Sequence, residues 1–325
     1  MRVLAIVECM IELAARQDAR DRSFAGDTFD TLWMMKGCLG ESLEGDFFTG
    51  FGSEPFSQQQ IAFMQSSRIG ISSSRTDLSS PPGIFGITLA ENGERSFTYW
   101  HETSAARKLA DDPAALAAAC RERDLIYFSG ITLAILDANG RKTLLDAVSE
   151  ARKKAARVAS DPNYRPRLWH NRDDARAVII EGLRHADIAL PTHDEKLALF
   201  GDPTPSATLL RLSDLGVPEV IVKNGAAGCL IGGQELPESL HVSACQGMPV
   251  LDTTGAGDAF NGAYLAARID GLGCAGSAEI GHALAAETVG VKGALLPLKR
   301  LVPRWSRAGT SLSEPTHADS QHKRQ

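Results

Sequence analysis

From Asp124 onward the chain alternates in kind. The apolar runs DLIYFSG (124–130), ARVASD (156–161), ADIAL (186–190) and EVIVKNG (219–225) are separated by helix-like stretches at 140–155, 173–184, up to Phe200, and 205–215. A parallel strand pair needs a crossover of a dozen or more residues, and one helix per crossover is the pattern of βαβ units. RVLAIV near the start reads as a further buried strand, and a helical stretch at 113–122 leads into the second. Two late helices are expected at about 257–270 and 276–290. The fold class implied is α/β, a doubly wound and mostly parallel sheet flanked by helices.

The N-terminal third departs from that rhythm. Residues 8 to about 31 are more polar, GDFFTGFG (45–52) reads as a strand, and SEPFSQQQIAFMQSS reads as a helix with Pro55 in its first turn. GIFGITLAENGERSFTYWHE (83–102) has β-rich arms on either side of Asn92-Gly93, a strong hairpin signal. In its second arm Phe97, Tyr99 and His101 share one face by the two-residue period, leaving Trp100 on the other. The expected organisation is one domain over residues 1–303, with lid segments at about 8–31 and 83–102. The end, 304–325, lacks apolar periodicity and reads as a disordered tail.

Composition narrows the function classes. The 325 residues are 43% hydrophobic and 23% charged with a formal net charge of −6, which offers no basic surface for nucleic acid. An anionic ligand therefore needs locally concentrated positive charge. Six scattered cysteines without a CxxC pair suit reduced thiols in a cytoplasmic enzyme. The apolar run at the start is too short for a signal peptide, and no stretch approaches a membrane span. There is no GxxxxGK[ST], and no GxGxxG follows the first strand.

DTTGAGDAF (252–260) runs straight into a helical stretch. Gly255, Ala256 and Gly257 leave the N–H groups of a helix start uncovered, a ready anion site. An acid there, Asp258, would repel the anion unless it faces a hydroxyl that attacks a phosphate. It would then accept the hydroxyl proton while the N–H groups stabilise the transferred charge, which is the chemistry of phosphoryl transfer. The bland alternative is an acid that complements the helix dipole in a Gly-rich turn, and the stretch alone leaves both open.

DTTGAGDAFNGAYLA resembles the C-terminal signature of the ribokinase-like (pfkB-type) carbohydrate kinases. Within that family ECMIEL (8–13), GDTFDT (26–31), GERSFTYW (93–100), FSGITLAIL (128–136) and NYRPRLW (163–169) make the chain to about Pro303 similar to the 2-keto-3-deoxygluconate kinases. The resemblance implies a ribokinase-like fold with a small β-sheet lid, ATP and Mg²⁺ as cofactors, and a sugar acid phosphorylated on its terminal hydroxyl. It implies Asp258 as catalytic base, with Gly255, Ala256 and Gly257 as anion hole. Gly26 and Asp27 lie near the sugar hydroxyls, Tyr99 contacts substrate from the lid, and Arg165 holds it, with Arg167 a weaker candidate. Lys223, Gly225, Gly228, Lys292 and Gly293 fall near the nucleotide. Glu195 organises Mg²⁺ through water, and Asp252 and Thr254 lie where some members bind a monovalent cation such as K⁺.

Several positions depart from the family's pattern. Val7 and Ala25 replace glycines, Asp30 replaces an Asn that faces the sugar, Phe85 a Tyr, His101 an Arg, and Thr192 the Asn of Asn-x-x-Glu. Physics leaves bland readings beside the functional ones. Arg165 and Arg167 suit a carboxylate through the planar guanidinium fork, or are solvated surface arginines, with Asp161 an orienting partner for Arg165. His101 contacts the sugar acid or is a polar hairpin residue; Glu195 acts through water or serves the helix dipole. A neutral-sugar kinase of the fructose or ribose type and a non-catalytic sugar-acid-binding protein are the alternatives to a sugar-acid kinase. The aromatic face of the hairpin, with Trp100, is expected to pair with a second copy in a dimer.

Overall fold

The computed structural model describes residues 1–16, 19–76, 79–89 and 95–301. The Asn92-Gly93 turn and the segment read as a tail lie outside the described residues. In chain order the elements are β1 (Arg2–Ile6), β2 (Met10–Arg16), β3 (Ala19–Ala25), α1 (Asp27–Leu39), β4 (Glu44–Phe48), β5 (Gly50–Phe51), α2 (Pro55–Ser66), β6 (Arg75–Thr76), β7 (Ile84–Leu89) and β8 (Arg95–Trp100). They continue with α3 (Pro113–Ala119), β9 (Leu125–Ser129), α4 (Gly130–Ile135), α5 (Ala138–Arg152), β10 (Arg157–Asp161), α6 (Arg172–Arg184), β11 (Ile188–Ala189), α7 (His193–Phe200) and α8 (Pro205–Asp214). The chain closes with β12 (Glu219–Lys223), β13 (Cys229–Gly233), β14 (Leu236–Val242), α9 (Ala256–Ile269) and α10 (Cys274–Val289).

The large sheet has the order β14-β13-β12-β11-β10-β9-β1-β4. It is parallel from β4 to β12, as the βαβ rhythm requires, and β13 and β14 add an antiparallel edge. Every residue of β9 and β12 is buried, consistent with strands covered on both faces. Helices α1, α9 and α10 pack on one another, and α3 to α8 form the other group. Helix α1 is buried from Thr28 to Leu39, so its sequence has no polar stripe and gave no helical period to read. The polar reading of residues 8–31 likewise concealed β2, β3 and the start of α1.

The small sheet has the order β3-β2-β7-β8, with β7 and β8 antiparallel. Register puts Ser23, Glu12, Phe85 and Tyr99 in one row on one face. Phe85 and Tyr99 stack with centroids 5.8 Å apart. On the opposite face Phe24 packs against Phe63 of α2 at 5.3 Å, while Trp100, near the far edge, is 57% exposed. The side chain of Phe97 lies outside the described residues.

Candidate active site

The side chains that converge do so at the carboxyl ends of parallel strands, the edge at which open α/β sheets bind ligands. Glu8 follows β1, Ser129 ends β9, Asp161 ends β10 and Lys223 ends β12. Helix α9 starts beside them. Its cap, Gly255, has φ 74°, and a Cβ there would lie 2.8 Å from Ala294 Cα and O, so only glycine fits both the left-handed turn and the close packing. Ala259 N–H is bonded to Gly255 O at 2.8 Å, and Ala256 N–H reaches Thr253 O at 3.3 Å. The amides at Gly257 and Asp258 have no carbonyl four residues back inside the helix to bond, and they remain the natural anion donors.

Asp258 is half-buried in the first turn of α9. Burial, then Asp27, raise its carboxyl well above the ordinary range, with Asp161 adding to them and Lys223 and Arg165 opposing. Asp27, the first residue of α1, accepts from Thr28 N–H at 2.8 Å and from Asn163 Nδ2 at 2.9 Å, and burial still pushes its pKa up. Gly26 before it passes so close to the first strand's exit that a Cβ would sit 2.3 Å from Glu8 O. Asp30 is buried, accepts from Gly26 N–H at 3.1 Å, and is raised well above its usual value by burial and by Asp258. Three carboxyls thus crowd one cleft, all biased toward the protonated form.

A satisfied network lies one helical turn below. Lys223 Nζ donates to Asp161 Oδ2 at 2.7 Å and to Asn261 Oδ1 at 2.9 Å. Asn261 Nδ2 donates to Asp161 Oδ2 at 2.8 Å and Tyr127 Oη at 3.1 Å. Burial opposes the Asp161 carboxylate, yet Lys223, Asn261 and the Asn163 N–H hold its pKa below the ordinary value. Asp161 therefore does not orient Arg165; it anchors Lys223, whose Nζ lies 3.7 Å from where a Cβ on Gly257 would be.

The remaining expected site residues fall around this core. Arg165 Nη1 bonds Glu195 Oε1 at 2.6 Å, and Tyr164 N–H bonds Glu195 Oε2 at 3.1 Å, so the expected substrate clamp and the expected metal organiser are partners of each other. Burial opposes the Arg165 charge, but Glu195, Asp161 and Asp258 raise its pKa. Arg167 lies over the Tyr99 ring at 4.6 Å, joining the segment after β10 to the small sheet. His101 Nδ1 is 2.9 Å from Glu8 Oε2, and both are buried, so His101 is not the exposed hairpin residue of the bland reading. Asp252 accepts from Thr254 N–H at 2.9 Å and Gly293 N–H at 2.8 Å, bracing the two loops that frame α9. Lys292 is exposed on one of those loops. Gly225 (φ 53°) and Gly228 (φ 92°) shape the turn after Lys223.

Among the described residues no group of three or more His, Cys, Asp or Glu is arranged to hold a metal ion. Glu195 is bonded to Arg165 and Tyr164, and Asp252 to two backbone amides. Among the described residues no helix is long and apolar enough to cross a membrane. Ser129, Asn163, Lys196 and Asn261 escaped the sequence reading. Ser129, Asn163 and Asn261 are brought in by contacts remote in sequence, whereas Lys196 adjoins Glu195 in the chain; of the four, only Asn261, one turn after Asp258, carried any positional signal.

Residues 37–300 match the model of the pfkB family carbohydrate kinases. The chain is 34% identical over 302 residues to 2-dehydro-3-deoxygluconokinase of Escherichia coli strain K12, covering 91% of this chain and 97% of that one. It is 34% identical over 312 residues to the Dickeya dadantii protein of the same name, covering 92% and 98%. Among solved structures, aminoimidazole riboside kinase from Salmonella enterica, complexed with aminoimidazole riboside and an ATP analog, superposes with a TM-score of 0.77 at 24% identity, over 92% of this chain and 96% of that one. With the family model matched over most of its length and relatives at 34% identity, the chain is a member of the pfkB family of carbohydrate kinases.

Proposed function

We propose that the chain transfers the γ-phosphoryl group of ATP to the terminal hydroxyl of 2-keto-3-deoxygluconate, giving the 6-phosphate and ADP. The observation that carries this reading is a cation, Arg165, held by Glu195 beside the cleft of Asp258, whose carboxyl feels its charge. The base takes the proton of the attacking hydroxyl, the oxygen forms the new P–O bond, and ADP leaves with the electrons of the broken one. A carboxyl pushed up by burial is a better proton acceptor once ionised than an ordinary aspartate. The amides of Gly257 and Asp258, with Lys223 beside them, face the charge on the transferred group. Gly26 and Asp27 present the sugar hydroxyls, with Asp30, Phe85, Tyr99 and His101 around the sugar, and Arg165 and Arg167 serve its carboxylate end. The turn at Gly225 and Gly228 and the loop at Lys292 and Gly293 border the nucleotide. The divalent cation travels with the ATP phosphates and reaches Glu195 only through water.

The Arg165–Glu195 bond favours a second reading, a kinase for a neutral sugar, because such a substrate needs no carboxylate clamp. ATP consumption with 2-keto-3-deoxygluconate, its galactose-derived epimer, gluconate, fructose and ribose decides between them. Turnover confined to fructose or ribose rejects the sugar-acid reading, and no turnover on any of the five favours a binding protein. The small sheet is proposed as a lid over the sugar, bridged by Arg167 on Tyr99, and its Trp100 face as the contact of a symmetric dimer. Light scattering at micromolar concentration tests the dimer, and a monomer rejects it.

A further inference from the structure

Lys196 is the least accommodated charge in the cleft. It is fully buried on α7, and among the described residues its Nζ has no hydrogen-bond partner. A buried ammonium without a partner is costly, and side chains that break this rule cluster where a protein uses them. The nearest acid is Glu195, whose Oε2 is 3.8 Å away, about 1 Å beyond a charge-assisted hydrogen bond. On its other oxygen Glu195 holds Arg165, whose side chain is 48% exposed.

If Arg165 is to bind a substrate carboxylate it must leave Glu195, and a mostly buried carboxylate would then keep the Tyr164 N–H and lose its paired cation. We propose that Lys196 is the countercharge that makes this exchange possible: Glu195 turns to Lys196 as Arg165 turns to the sugar acid. Lys196 is thus a positioning residue for acid recognition that never touches the substrate, an inference that rests on the sugar-acid reading above. The arrangement also reconciles an arginine expected to hold substrate with the bond it makes to Glu195.

The test is calorimetric titration of the full chain with 2-keto-3-deoxygluconate, without nucleotide, alongside thermal unfolding. Lys196→Met should bind the acid about tenfold more weakly or worse, the value of a hydrogen bond to a charged group, while unfolding at the same or a higher temperature. Glu195→Gln added to Lys196→Met removes the charge that traps Arg165 and should restore affinity, a rescue that a structural role for Lys196 does not produce. Lys196→Gln serves as the second variant if the methionine protein fails to fold. Unchanged affinity in a folded Lys196 variant, or a loss that Glu195→Gln does not repair, overturns the exchange. A wild-type chain that binds fructose and not the acid overturns the substrate reading itself, and is told apart because the wild type alone reveals it.

Discussion

At its C-terminal end α9 docks onto the start of β12 through Tyr264 and Arg268, which surround Glu219. At its N-terminal end it presents Asp258 to Asp27, Asp161 and Lys223. Both ends hold a buried or half-buried acid, and they treat it in opposite ways. Glu219 accepts from Tyr264 Oη at 2.6 Å and from Arg268 Nη2 at 2.6 Å and Nε at 3.0 Å. Burial opposes its charge, yet Arg268 and Tyr264 hold its pKa below the ordinary value. Arg268 also donates to Leu272 O at 2.7 Å, and a cation in the last turn suits the helix dipole. Asp258 meets Asp27, Asp30 and Asp161 at a helix start whose first amides have no carbonyl four residues back inside the helix. The acid at one end of the helix is paired, while the acid at the other end, the proposed base, is crowded by others.

The largest effect expected from that contrast is on turnover. Asp258→Asn keeps shape and removes the proton acceptor, so kcat should fall by about 10²–10⁴-fold, with sugar affinity much less affected. The unfolding temperature should hold or rise, because one of the crowded carboxyls is gone. Turnover within a few-fold of wild type would remove Asp258 as base.

The far end should answer in stability alone. Arg268→Ala takes from Glu219 the cation it is paired with, and breaking a buried pair by removing one partner costs about 3–5 kcal/mol. Denaturant unfolding should show the loss, while kcat per folded molecule stays near wild type. A comparable fall in kcat would mean that the two ends of α9 are mechanically linked.

Two arginines that each bind a glutamate sharpen the same contrast. The Arg268 side chain is 15% exposed and locked on both edges, whereas Arg165 is 48% exposed with its partner on one edge. Arg165→Ala should weaken acid binding by about 1.5–3 kcal/mol. It should cost the fold only about 1 kcal/mol, since Arg165 is half exposed and Glu195 keeps the Tyr164 N–H. Equal losses for acids and neutral sugars would assign Arg165 a structural role.

How far these sites were legible depended on sequence distance. DTTGAGD held Gly255, Asp258 and their relation to a helix start within seven residues, and the βαβ rhythm placed the parallel strands because period and spacing are local properties. The network below Asp258 joins Lys223 to Asp161 across 62 positions and Asn261 to Asp161 across 100, and no local pattern announces such pairs. Lys223 could be placed near the nucleotide by resemblance, but its buried partners could not. Helix α1 hid for the opposite reason, since a helix buried on nearly all sides loses the amphipathic period that marks one. The bond between Arg165 and Glu195 was invisible because each residue had been given a separate role, one for the sugar acid and one for the metal.

The smallest predicted effect is also the one that separates the two ends by sign. Asp258, Asp27 and Asp30 have folded-state pKa values above those of the unfolded chain, so the native state holds protons there that the unfolded state has released. Their contribution to stability is present below the ordinary carboxylate value of about 4 and is lost as pH rises through the raised values. Glu219 has the reverse shift, so its contribution is present above its ordinary value of about 4.3 and is lost as pH falls through the lowered one. Asp258→Asn should therefore gain on wild type as pH rises from acid toward neutral, while the deficit of Arg268→Ala should shrink as pH falls. Activity should follow only the first group: kcat must drop in acid as Asp258 takes up its proton, at a pH above that of an ordinary aspartate. Unfolding free energies of the three proteins measured across pH, beside wild-type kcat, give both readouts. Parallel stability profiles would mean that the acids at the two ends of α9 share one environment, and the contrast between them would be lost.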